Sequence, residues 1–323
     1  MKKQQITLLT LLVVAAAFAV GCGNSNVPTF KQLPFISNRT VTPATSLFVM
    51  NLDGSGLTPV AAPSGSAYSP SNSANAQTVA FANSGNVWSS NASGSSQTQL
   101  TTFDDQTQWA FEARISPNGK KIVYAMYDDS VGYDTVWIVN ADGTGAINLN
   151  ATLPTGMTGC YNGSFSADSS KVVYACYGPS STYGLYVVKA NGTGTTTVTT
   201  QNFFMDTPAF SPDGKQILFV QFGSGPSANR VPGRNRARTA RRTSAPTVNS
   251  AGITSINLDG SNVTVVVPGS SLYEVEVLNH SLYYTFYDSG LGLYQIYKAN
   301  LDGTGAASIS DGTAYDYLGL SAD

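Results

Sequence analysis

Carboxylates and aromatic rings are the chemistry-bearing side chains that cluster in this sequence. Two aspartate pairs, Asp104–Asp105 and Asp128–Asp129, flank Trp109. Asp206 follows Phe203 and Phe204, Asp316 lies between Tyr315 and Tyr317, and Tyr161 adds another ring. Flat apolar platforms beside a few hydrogen-bonding groups are what a sugar or peptide site uses. Two carboxyls at a fixed separation would also suit glycoside hydrolysis, with Asp104/Asp105 and Asp128/Asp129, or Asp206 and Asp316, as candidates. The two aspartate pairs could instead hold a single calcium ion. Other chemistries lack their parts. There is no G-x-S-x-G nucleophile elbow. The one histidine, His280, falls in an expected hairpin tip and cannot supply a two-histidine zinc site. Cys-x-x-Cys is absent. No catalytic residue is assigned, and beyond that calcium no metal or cofactor is expected.

Composition limits the scaffold. The chain has 323 residues, of which 42% are hydrophobic and only 11% charged, with 31 glycines and a formal net charge of -2. Average soluble domains carry about 25% charged residues. Glutamate occurs only as Glu112, Glu274 and Glu276. Strong helix formers are scarce, while Tyr, Val and Thr are plentiful. This excludes helix bundles and α/β enzymes with an outer helical layer. The apolar fraction is also too high, and the net charge too small, for a disordered chain.

The first residues read as an address. Lys2 and Lys3 precede an apolar run from Ile6 to Val20, too short for a spanning helix, and small residues lead to Cys22. Ala19-Val20-Gly21-Cys22 resembles the bacterial lipobox. That resemblance implies a signal peptide over 1–21, acylation of Cys22, and a lipid-anchored tether over 22–32. The expected location is the cell envelope, at the outer membrane where the host has one.

Two short patterns recur through the rest. The first is a turn before an apolar run: Ser116-Pro-Asn-Gly119 before KKIVYA, Ser166-Ala-Asp-Ser169 before SKVVYA, and Ser211-Pro-Asp-Gly214 before KQILFV, with a looser copy at Ser69-Pro70. The second is an alternating strand ending in a glycine turn, as in LFVMNLDGSG and VWIVNADGTG. It has six copies, with glycines at 54, 94, 143, 192, 260 and 303. Pro, Asp/Asn and Gly stand where type I turns and hairpins want them. These turns carry at most one carboxylate each, too few for calcium loops. Spacings of 40 to 68 residues fit four-stranded propeller blades with one insertion.

The paired patterns resemble the WD-like repeat of TolB-type propellers. The resemblance implies an all-β, six-bladed β-propeller of four-stranded antiparallel blades over 33–323. The first repeat starts near Leu33, which leaves no space for TolB's N-terminal domain, so the propeller is implied and TolB's cellular role is not. The first blade lacks the strand that normally precedes its turn. The C-terminal residues 317–321 are expected to supply it by pairing with 33–37, closing the ring and removing two sheet edges.

The glycine and SPDG-type turns should share one face, called here the turn face. The loops within and between blades should share the other, the loop face, where function is expected. The candidates there are Asp104, Asp105, Trp109, Asp128, Asp129, Tyr161, Phe203, Phe204, Asp206, Tyr315, Asp316 and Tyr317, with a protein or peptide of the envelope as the expected partner. An insertion at about 223–252 holds Arg230, Arg234, Arg236, Arg238, Arg241 and Arg242 among Pro, Gly and Ser. It cannot build a core and is expected to be disordered; its charge suits an anionic polymer or membrane surface. Nucleic acid is not expected for an exported chain. Without those six arginines, 11 basic residues face 19 acidic ones. Cys160 and Cys176 flank a hairpin whose register sets Cys160 opposite Tyr177 or, shifted by one, Cys176. A disulfide is expected there, export giving an oxidising compartment.

Overall fold

The computed structural model describes residues 28–39, 46–63, 67–104, 106–224 and 251–319. The Arg-rich segment, Cys22 and the signal sequence lie outside them, as does Asp105. Six four-stranded antiparallel sheets make up the fold, and the helical element among the described residues is one 3-10 turn, Pro179–Ser181. The all-β reading therefore holds. Blade three shows the plan. Gln108–Ile115 runs beside the axis and turns through Ser116–Gly119 into Lys121–Asp128. Tyr133–Asn140 follows, and the short outer strand Ile147–Asn148 completes the sheet. The innermost strands of blades two, four, five and six are Ala67–Asn72, Gly159–Phe165, Phe203–Phe210 and Leu272–Leu278.

Blade one is built from both ends of the described chain. Asp316–Tyr317 pairs with Gln32–Ser37, setting Tyr317 opposite Ile36 and Asp316 opposite Ser37. The C-terminal strand thus closes the ring as expected, one residue earlier than the sequence suggested.

The turn chemistry explains why the repeats look alike. In each SPDG-type turn a serine hydroxyl bonds the Asp or Asn two residues on, as Ser116 does to Asn118 (2.8 Å) and Ser211 to Asp213 (2.7 Å). The copy in blade two is Ser73 with Asn75 (2.7 Å). Ser69-Pro70 is therefore not a turn, as the sequence suggested, but lies within the innermost strand, where Ser69 takes φ 51° at a β-bulge. In the four glycine turns that hold an aspartate, its side chain accepts from the residue two on, as Asp142 does from the Thr144 amide (2.9 Å) and hydroxyl (2.6 Å). Their carboxylates serve as local turn acceptors.

Each turn glycine also seats against the preceding blade. Gly303 has φ 82°, and a Cβ there would collide with the carbonyl oxygen of Val266 in blade five; Gly94, with φ 75°, meets the Ala61 carbonyl in the same way. Positive φ and close backbone approach together demand glycine. Gly303→Ala is expected to lower unfolding free energy by about 1–3 kcal/mol, measured by urea denaturation; an unchanged midpoint would show that the contact yields freely.

Candidate functional site

The innermost strands do more than hold the ring. Five of them break register at the same level: between Tyr68 and Ser71, Ala110 and Glu112, Tyr161 and Ser164, Asp206 and Ala209, and Leu272 and Glu274. A bulge re-aims side chains and leaves ladder groups free for other partners. Ser69, Asn162 and Thr207, each four residues before its turn serine, take φ of 51°, 54° and 44°. Glu112 has the same spacing from Ser116 in blade three.

These residues make a belt of hydrogen bonds from blade to blade. The Tyr68 hydroxyl donates to the Ala110 carbonyl (2.9 Å). The Asn162 amide N–H donates to Glu112 Oε2 (2.7 Å), and its side chain donates to Asp206. Thr207 Oγ1 accepts from the Val275 N–H (3.1 Å). Glu274 Oε2 accepts from the Gly319 N–H (2.9 Å), and the Gly319 carbonyl accepts from Ser69 Oγ (3.0 Å). The last two links join blade six to the C-terminal segment and that segment to blade two, completing the circle.

A second contact crosses the circle. Arg114 of blade three forms an ion pair with Glu276 of blade six. Two blades lie between them on either side of a ring of six, so the pair spans the axis. Burial works against the Arg114 charge, but Glu276, Glu112 and Glu274 outweigh it and hold the guanidinium protonated above its ordinary value. Burial pushes the Glu276 carboxyl up, and Arg114 opposes that shift.

Around this pair, and reaching to the turns at Pro117, Ala167 and Pro212, lies an axial cavity of about 80 Å³. Its polar wall includes Arg114, Glu276, Asn162 and Thr207; its apolar wall includes Phe165, Phe210 and several prolines. Pro28 and Phe30, from the segment before the first strand, complete it. The Phe30 N–H donates to Asn279 Oδ1 (2.8 Å), and Asn279 Nδ2 donates to the Phe30 carbonyl (3.1 Å).

The sequence candidates fall into separate environments. Trp109, Tyr161, Phe203, Phe204, Asp206, Asp316 and Tyr317 belong to innermost strands and not to the joining loops expected for them, because the strands continue through their bulges. Trp109 packs on Tyr127 (centroids 4.7 Å), and Tyr161 stacks on Phe204 (5.9 Å). Both Tyr161 and Phe204 are buried, and Phe203 is half-buried. Asp206 is buried against Asn162 and the Thr207 N–H. Asp316 is fully buried against Arg39, and burial pushes its carboxyl up despite that partner. Tyr315 and Tyr317 surround Tyr294 (6.3 and 4.7 Å). Asp104 and Asp129 are exposed. Asp128 accepts from Ser130 (2.8 Å) within its own loop and from Gln108 (2.6 Å). Among the described residues no three His, Cys, Asp or Glu side chains converge as a metal site. Cys160 pairs with Cys176 in register, and their sulfurs are bonded at 2.05 Å. His280 is exposed in the Asn279–His280 turn.

Sequence reasoning missed Arg114, Asn162, Thr207 and Asn279, and noted the three glutamates without placing them. Their signal was available: every glutamate of the chain lies on an innermost strand at the axis, against a background nearly devoid of charge.

No protein-family model matches the sequence, and no curated protein matches it. Solved structures do match in shape. A protein described as TolB from Agrobacterium tumefaciens is 14% identical with a TM-score of 0.62, the match covering 90% of this chain and 98% of that one. This chain is a TolB-like six-bladed propeller. TolB from Acinetobacter baumannii gives 13% identity and a TM-score of 0.67, over 90% of this chain and 66% of that one. A chain of a nidogen/laminin complex gives 10% and 0.62, over 89% and 96%. At these identities the likeness to TolB is one of fold.

Two predictions follow from the charges. Glu276→Leu strands Arg114 at the axis and is expected to cost about 3–5 kcal/mol, while Arg114→Met/Glu276→Leu recovers most of the loss. Urea denaturation of the cycle measures this; additive losses would refute the pairing. At the rim, the Arg39 guanidinium holds the Asp311 carboxyl at about 2. A depressed carboxylate adds stability above its unfolded value, and that stability is lost as pH falls from about 4 towards 2. In Arg39→Ala the Asp311 carboxyl should titrate higher than in the parent chain, while the bonds from the Thr313 amide and hydroxyl still hold it below its ordinary value, as followed by carbon NMR.

Proposed function

We propose that this chain is a lipid-anchored protein of the cell envelope whose propeller binds a protein or peptide partner. The axial cavity carries the reading. It sits on a rigid ring and mixes hydrogen-bonding groups, one buried ion pair and apolar rings, the balance that ligand sites use. Anchoring rests on the lipobox-like residues ending at Cys22, and the bonded Cys160 and Cys176 suit an exported chain. That one propeller of this shape was solved in a nidogen/laminin complex supports a role in protein association. In this reading the working site lies on the turn side of the ring. The arginines at 230, 234, 236, 238, 241 and 242 stand between strands ending at Ser224 and resuming at Gly252. They supply a separate contact with an anionic polymer or membrane surface. The carbohydrate-active alternative draws no support from Asp206 and Asp316, which are buried and committed to Asn162 and Arg39.

Two variants test the proposal in the native host. Cys22→Ser should lose palmitate labelling and leave the membrane fraction. Ala167→Trp, at the cavity wall, should keep its fold by circular dichroism and lose the envelope protein crosslinked to the parent chain. An unlabelled parent chain would refute anchoring, and equal crosslinking of Ala167→Trp would refute the cavity as the binding site.

A further inference from the structure

The segment before the first strand is attached to the propeller in an unusual way. Residues 28–31 join no sheet. Pro28 and Phe30 are half-buried while Thr29 and Lys31 are exposed, the alternation of an extended segment lying along a surface. Pro28 and Phe30 form part of the cavity wall. Phe30 also packs against the buried cluster that includes Leu33, Phe35, Leu278 and Tyr283. The Asn279 amide reads the main chain of Phe30 from both sides, accepting from its N–H and donating to its carbonyl. A carboxamide used this way recognises backbone and is indifferent to the side chain it holds. Specificity then falls to the neighbouring apolar surface, which takes one proline and one aromatic ring with an outward residue between them.

We infer that residues 28–30 are an internal occupant of the axial site, and that the site accepts an extended Pro-x-aromatic segment of a partner protein in their place. This rests on the peptide-binding reading above and names its ligand class. Every contact that holds the segment is one a separate peptide could reproduce: two apolar side chains on alternate positions and one backbone clamp. Nothing in the sheets would have to break for the exchange, because the ladder of blade one begins at Gln32. Proline lowers the entropy lost when such a segment orders, since its φ is already fixed. The tethered occupant competes at an effective concentration in the mM range. A partner segment must therefore bring further contacts or arrive when the tethered segment is drawn away. The outward Thr29 and Lys31 leave room for those added contacts.

The full mature chain and a fluorescent peptide, Asn-Val-Pro-Thr-Phe-Lys-Gln, test this. In Phe30→Ala the peptide should bind at least tenfold more tightly than to the parent chain, because its competitor is weakened. Adding Asn279→Ala should remove that gain, and a peptide with alanine for phenylalanine should not bind. Should Phe30→Ala fail to fold, hydrogen exchange on the parent chain decides: saturating peptide should speed exchange of the Phe30 amide by displacing it from Asn279. Equal affinity for a folded Phe30→Ala, or an unchanged exchange rate under saturating peptide, would overturn the exchange. Peptide binding in trans without a crosslinked envelope protein would uphold the site and reject the envelope partner, so the two readings fail separately.

Discussion

A ring of sheets is only as stable as the joins between sheets, and here the joins near the axis are polar. Sheet hydrogen bonds stay within blades, so something else must fix each blade to the next. The bulges provide it by releasing main-chain groups and re-aiming side chains at one level of every innermost strand but the C-terminal one. Ser69, Asn162 and Thr207 adopt left-handed backbone there, and the circle is completed by Gly319, which serves blade six and blade two at once. Buried polar groups of this kind are costly unless satisfied. Because the links do not repeat one residue pair, the blades are not interchangeable although their turns are.

That arrangement also explains the charge economy of the chain. A sequence with 11% charged residues has placed its three glutamates and the half-buried Arg114 together at the axis. Burial opposes both charges of the Arg114–Glu276 pair, and such a pair is weak support for stability in itself. Both partners line the cavity together with Asn162 and Thr207 of the hydrogen-bonded belt. The aromatic rings that suggested a loop-face platform instead pack mainly inside and between blades, as Tyr161 and Phe204 do.

Architecture was legible because it rests on local rules repeated six times. Turn residues at fixed offsets and alternating apolar strands report backbone geometry directly, and the missing first strand of blade one foretold the closing role of the C-terminus. For Cys160 the turn left Tyr177 or Cys176 opposite, and the bulge between Tyr161 and Ser164 selects Cys176. The axial site was not. Its residues share a position but, Glu112 and Glu274 apart, no residue type, and a bulge is invisible to a two-residue period. Ser69-Pro70 shows the hazard: a bulge and a turn both use serine followed by proline, and only the serine at 73 distinguished them. Asn279 and Phe30, 249 residues apart, meet through ring closure alone.

The seam between blades six and one has a mechanical meaning. Phe30 is held by blade six through Asn279, while the strand that follows it belongs to blade one and pairs with the C-terminal strand. Leu52 of blade one accepts from Tyr283 and Lys298 of blade six across the same boundary (both 3.2 Å). Force applied at the N-terminal side of Pro28 would meet the Asn279 clamp before it reached the first strand. The clamp is two hydrogen bonds and would yield first, leaving the seam loaded but intact. Release of that clamp would uncover the axial cavity without opening a blade, because the ladder of blade one begins at Gln32.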